Sequence, residues 1–136
     1  MVRWLRSEIG RLCGNGVDSI AVLTHHTPAM SGTSHPRFEG ENANNTQHAF
    51  STDMSALYST APELKVWAFG HTHFNADFVD GGTRLLSNQR GYAHEVAQDY
   101  DPGLCFSVCA EPRGEPLSRR AADDAAAYSA DAADQL

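Results

Sequence analysis

The chain has few cysteines and no pattern among them. Cys13, Cys105 and Cys109 are odd in number and form no CxxC pair. That argues against the disulfide framework of a small secreted domain and points to a reducing compartment. Cys105 and Cys109 fall in or beside an apolar run, where a thiol packs as a small core residue. Positive charge is also scarce, with 10 basic residues against 17 acidic ones and a formal charge of −7. A broad nucleic-acid-binding surface needs the opposite balance. A phosphate substrate does not, because bound metal ions reverse the local sign. No apolar run approaches the ~20 residues of a membrane span. The opening MVRWLRSEIGRL is broken by Arg3, Arg6, Glu8 and Arg11 and lacks the apolar block of a secretory signal. The expectation is a cytoplasmic protein with no membrane partner and no nucleic-acid surface.

What is present suits one domain with a buried core: 136 residues, 41% of them hydrophobic. Val2, Leu5, Ile9 and Leu12 recur at helical spacing and predict a helix over 2–13, with Trp4 beside its apolar face and Gly14 and Gly16 as its stop. Ile20–Leu23 is a short continuous apolar run, the pattern of a strand buried on both faces. Residues 27–50 form a long polar segment without a period, of the kind that serves function or stays disordered. STDMSALYSTAP reads as a short helix capped by Ser51 or Thr52 and ended by Pro62, with Met54, Leu57 and Tyr58 inward. Further strands are expected at 64–70, 74–80, 83–88 and 103–110, the second and third of these forming a hairpin about Gly81-Gly82. Trp4 and Trp67 read as core anchors. From Glu111 onward the sequence is Ala- and Asp-rich with few large apolar residues, a low-complexity tail expected to be disordered. The fold class is α/β.

The chemistry concentrates in histidines. AFGHTHFNADF places His71 and His73 two apart behind Gly70 at the end of an apolar run. In an extended chain such a pair projects to one side, and a residue without a side chain at position 70 lets the backbone approach an ion. A lone pair of this kind is more often structural. A second pair, His25 and His26 in LTHHTP, ends the first strand. Ligands in open α/β sheets gather beyond the carboxyl ends of strands, and neutral imidazole is a ligand for first-row transition metals. Acidic partners are few: Asp77, Asp80, Glu39 and Glu41 lie nearby without ligand spacing.

VLTHHTP, VWAFGHTHFNADF and LLSNQRGY, in this order, resemble the C-terminal half of the calcineurin-like metallophosphoesterases, above all uncharacterised fungal ones, over residues 1–110. The resemblance implies half of a four-layer α/β/β/α sandwich with a mixed sheet. It also implies a phosphate-ester substrate and two metal ions drawn from manganese, iron and zinc. On it, His26 and His71 serve one metal and His73 the other. His25, their neighbour, is with Gly70, Asn88 and Gly91 a candidate for binding metal or shaping the site. Arg90, His35 and Arg37 are candidate substrate contacts, although the bland reading of each, and of His48, His94 and Glu95, is a solvated surface group. The Asp-x-His, Gly-Asp and Gly-Asn-His motifs that give such enzymes their bridging carboxylate and proton-transfer histidine do not occur in this sequence. The expectation is therefore a phosphoesterase fragment inactive alone, completed by its N-terminal half or by self-association, with uncovered strand edges and low stability. The alternatives are a non-enzymatic remnant that binds metal weakly and a histidine-only zinc hydrolase.

Overall fold

The central strand of the sheet comes from LKVWA. In a computed structural model that describes residues 2–40, 46–94 and 99–108, Leu64–Ala68 pairs on both sides and buries Leu64, Val66 and Trp67. The elements are α1 (Val2–Gly14), β1 (Ile20–Leu23), α2 (Ser55–Tyr58), β2 (Leu64–Ala68), β3 (Ala76–Asp80) and β4 (Thr83–Ser87). The sheet has four strands in the order β1-β2-β4-β3. β1 and β4 run parallel to β2, and β3 is antiparallel to β4. The protein is thus mixed α/β, with a mixed sheet and few helices.

The hairpin follows from its turn. Gly81 and Gly82 have φ of 57° and 86°, the left-handed backbone that a two-residue hairpin loop requires. At Gly81 a side chain is also excluded, because a Cβ would stand 2.2 Å from Ser59 Oγ and 3.0 Å from Ser59 Cα. Two further bonds fix the hairpin to the core. Thr83 Oγ1 donates to Leu64 O at 2.7 Å, and Tyr58 Oη donates to Asp80 Oδ2 at 2.5 Å. Burial first, and then the Asp80 carboxylate, push the Tyr58 hydroxyl well above its ordinary pKa. Asp77 on β3 meets Arg84 on β4 through two parallel bonds, Nε to Oδ1 at 2.6 Å and Nη2 to Oδ2 at 2.5 Å.

Several sequence expectations change. β1 is an edge strand with one open face, alternating buried and exposed, so Leu23 is 79% exposed. Trp4 is 65% exposed and anchors nothing, because α1 turns Ile9 to the core instead, with Leu5, Leu12 and Cys13 packed beside it. Trp67 is the anchor, 1% exposed. No strand forms over the described part of the expected 103–110 element: Asp101 Oδ1 accepts from Gly103 N–H, and Cys105 and Phe106 lie exposed. The short helix spans Ser55–Tyr58, and Met54, not Ser51 or Thr52, stands at its N-cap. Asp53 is what holds its first turn, its Oδ1 accepting from Ser55 N–H at 2.9 Å. Among the described residues no helix is long and apolar enough to cross a membrane. The Ala/Asp-rich tail expected from Glu111 lies outside the described residues.

Leu85, which is fully buried, and Trp4, which is exposed, give a direct check of where the core lies. Leu85→Ala is expected to cost about 2–5 kcal/mol in denaturant unfolding, the range for large-to-small changes in a core. Trp4→Ser should stay within about 0.5 kcal/mol of the parent, as exposed substitutions do. Comparable losses for the two would mean that Trp4 packs in solution.

Candidate metal centre

Parallel pairing brings the histidines together. Leu23 stands opposite Ala68, so β1 and β2 finish at one edge of the sheet, and the chain continues from each into a histidine-bearing loop. The two loops are joined by backbone. Thr24 N–H donates to Ala68 O and Gly70 N–H donates to His25 O, each at 3.0 Å. Trp67 Nε1–H reaches from the core to Thr24 Oγ1 at 2.9 Å, and Thr24 Oγ1–H donates to His26 O at 2.7 Å. Gly70 acts through its N–H. A Cβ there would sit 3.6 Å from His25 O, an ordinary contact, so close approach of the backbone is not what its position requires.

His71 is then forced into an unusual conformation. Its φ is 73°, and Thr72 N–H donates back to Gly70 O at 2.9 Å, closing a three-residue turn centred on His71. His73 also has a left-handed backbone, with φ of 51°. β2 has ended at Ala68, so the period-two geometry expected of an extended HxH does not apply. The two rings take different neighbours. His71 Nδ1 lies 2.8 Å from His25 Nε2, and its ring is 4.7 Å from that of His26. His73 instead meets Tyr92 edge-on, with centroids 4.5 Å apart.

The resulting group is His25, His26 and His71, exposed, with one ligand atom from each lying within 4.8 Å of the others. His25, expected as a possible metal or site-shaping residue rather than a main ligand, belongs to the cluster. Three imidazoles converge from two tethered loops, a group of the kind that could hold a single transition ion. It does not by itself fit a pair of ions: among the described residues no carboxylate joins the cluster, and the acidic residues named from the sequence are engaged elsewhere. Asp77 holds Arg84 and Asp80 accepts from Tyr58. Glu39 accepts from the N–H groups of Gly32, Thr33 and Ser34. Glu41 lies outside the described residues. Partial desolvation, followed by the charges of His26, His25 and His73, lowers the pKa of His71. That favours the neutral ring, the form that ligates.

The remaining candidates are placed around this edge. Asn88 pairs with the backbone of Asp101 through both ends of its amide, at 2.6 and 3.0 Å. Gly91 turns the chain with φ of 74°, and Arg90 before it is exposed. His35 Nδ1 accepts from Arg37 N–H within its own turn, and its ring meets Phe74 at 6.3 Å. The Arg37 guanidinium lies over Phe38 at 4.5 Å. Phe50 is brought to 6.1 Å from His71 because Thr27 and Ser51 bridge the base of the long loop. Sequence reasoning missed Gln89. Its Oε1 accepts from His73 N–H at 2.9 Å, and its Nε2 donates to Thr72 Oγ1 and Phe74 O, each at 3.0 Å. One amide thereby clamps the whole His71–Phe74 turn. The only signal was an amide-rich stretch directly after a strand.

Two expectations follow. Left-handed backbone costs a residue with a side chain about 1–2 kcal/mol. His71→Gly should therefore be more stable than His71→Ala by about 1 kcal/mol in denaturant unfolding of the metal-free chain. Equal stabilities would mean that the turn relaxes in solution. The second concerns pH. The pKa of both His71 and His35 is lowered, the latter by burial and then by Arg37. An unfolded histidine takes up its proton near pH ~6.5, so below that the unfolded chain binds more protons than the folded one. Stability is present above this value and is lost as pH falls through the lowered folded pKa. Glu8, Asp53 and Glu63, also lowered, add their loss only in the ordinary carboxylate range. The melting temperature in chelator should decline first below pH ~6.5, and the double variant His35→Gln, His71→Gln should delay that decline.

An 85-residue stretch, 60% of this chain, is 31% identical to an uncharacterized protein of Acanthamoeba polyphaga mimivirus. It spans 29% of that relative, under a third of its length. No protein-family model matches the chain, and no solved structure matches it.

Proposed function

We propose that the chain is the histidine-bearing half of a metal-dependent phosphoesterase of the calcineurin-like type, with His25, His26 and His71 holding a divalent transition ion. The observation that carries this reading is the convergence of three imidazoles, with ligand atoms within 4.8 Å of one another, at the carboxyl edge of a parallel strand pair. A bound ion would supply Lewis-acid polarisation of a phosphoryl oxygen and a lowered pKa for a coordinated water. The protein's own residues hold the donors in place. Gly70 N–H and Thr24 tether the two loops, and Gln89 holds the turn that carries His71 and His73. His73, two residues from His71, is the donor assigned to the second ion of the two-metal site that the resemblance implies, within a four-layer sandwich larger than this sheet. The carboxylate motifs of such sites are absent from this sequence, so the chain alone is expected to bind metal without hydrolysing esters.

A second reading, a metal-binding module without catalysis, draws on the same engagement of Asp77, Asp80 and Glu39 in structural bonds. The experiment that separates the two begins with calorimetric titration of zinc and manganese into chelator-stripped chain. One ion per chain is expected, with affinity reduced about tenfold or more in His71→Ala, as loss of a ligand or its support typically does. Absence of uptake sinks both readings. Hydrolysis of p-nitrophenyl phosphate in manganese is then measured with and without a chain carrying the three absent motifs. Activity only on addition supports the phosphoesterase half. Activity of the chain alone, lost in His71→Ala, overturns the half-site. Metal uptake with no activity in either case leaves the module.

A further inference from the structure

The chain after β4 carries a second feature toward the histidine edge. Gly91 reverses the backbone, and Tyr92 comes to lie against His73 edge-on, at 4.5 Å and 85°. His94 lies parallel to the same tyrosine, with centroids 5.7 Å apart and planes 9° from each other. The offset leaves most of the tyrosine ring uncovered, and Tyr92 is 61% exposed. Two neighbours thus fix the orientation of the ring without burying it. Tyr92 adds nothing to the core, which is built from other residues. Further rings border the same edge: Phe50 beside His71 and Phe74 beside His35. Arg90 stands exposed two residues before Tyr92.

A held, uncovered aromatic ring is suited to one kind of ligand. It offers a π face to another flat ring, and little side-chain freedom remains to be lost on binding. We propose that Tyr92, set between His73 and His94, is a stacking platform for a planar aromatic group on the phosphate ester, a nucleoside or aryl phosphate whose phosphate lies at the ion held by His25, His26 and His71. This inference rests on the phosphoesterase reading for the phosphate end and on Tyr92 alone for the ring end. It separates phosphates with flat organic groups from sugar and alkyl phosphates. Stacking of a base on one aromatic side chain is worth about ten- to a hundredfold in affinity.

The test is calorimetric titration of the manganese-loaded chain with adenosine 5′-monophosphate, phenyl phosphate, ribose 5-phosphate and adenosine. At least one ring-bearing phosphate is expected to bind about tenfold tighter than ribose 5-phosphate. A preference for the nucleotide assigns a nucleoside phosphate, and a preference for phenyl phosphate assigns an aryl phosphate. Tyr92→Ala should abolish the advantage and Tyr92→Phe should keep it. Because Tyr92 is exposed, unfolding midpoints of both variants should match the parent. The platform is overturned if neither ring-bearing phosphate outbinds ribose 5-phosphate, if the advantage survives Tyr92→Ala, or if no probe binds. The phosphoesterase reading fails separately, when His71→Ala leaves ribose 5-phosphate binding unchanged. In that case adenosine still reports on the platform, through its own loss in Tyr92→Ala.

Discussion

The site depends on the 3.0 Å bond from Gly70 N–H to His25 O. Parallel strands end at a common edge, but ending there does not bring two loops into contact. Here the pairing continues past the strands, first from Thr24 N–H to Ala68 O and then from Gly70 N–H to His25 O. The next residue is His71, whose left-handed φ of 73° turns its ring back toward the loop just joined. Without this continuation the imidazoles would sit on two separately moving segments, and ordering them would cost entropy at the moment of ligand binding. The same edge receives the exit of β4, which is parallel to β2. Gln89 and Tyr92 therefore arrive beside the histidines by the topology that brings His25 there.

The strands were legible because their causes are local. Apolar runs at Ile20–Leu23 and Leu64–Ala68 and the Gly81-Gly82 turn each follow from neighbouring residues. The fifth strand was misread for the same reason. An apolar run is only a licence to pair, and Leu104 and Phe106 remain 38% and 39% exposed. Trp4 failed similarly: its place beside the helical stripe did not settle which face α1 would bury, and Ile9 holds the core contact.

The histidine edge was legible in outline, since two strands ending in histidines predict convergence. Its membership was not. Whether His25 or His73 joins His26 and His71 depends on backbone angles at residues 71 and 73, and no spacing rule reports a left-handed φ in a residue with a side chain. Nor does the sequence show that Gln89 spans Thr72, His73 and Phe74. Its amide acts across a separation of 15 to 17 residues, set only once β2 and β4 are paired. Asn88 was read as a shaping residue, and it holds the backbone of Asp101.

Where the carboxylates go decides what kind of charge this edge can present. Asp77 is neutralised by Arg84 and Asp80 is bound by Tyr58. Glu39 is spent on the N–H groups of its own loop. Each is a structural bond that a ligand role would break, leaving a guanidinium, a buried hydroxyl or three amides without partners. Among the described residues the cluster is therefore made of imidazoles with no carboxylate among them, in a chain whose formal charge is −7. An ion held by neutral imidazoles keeps its full positive charge, whereas each carboxylate ligand would cancel part of it. On the proposed reading, the field of such an ion would be a local positive centre in an acidic chain, falling off within about 10 Å at ordinary salt. On that reading, such a centre would select for an anion small enough to reach it, and the rings along the same edge would then discriminate among the organic groups that the anion carries.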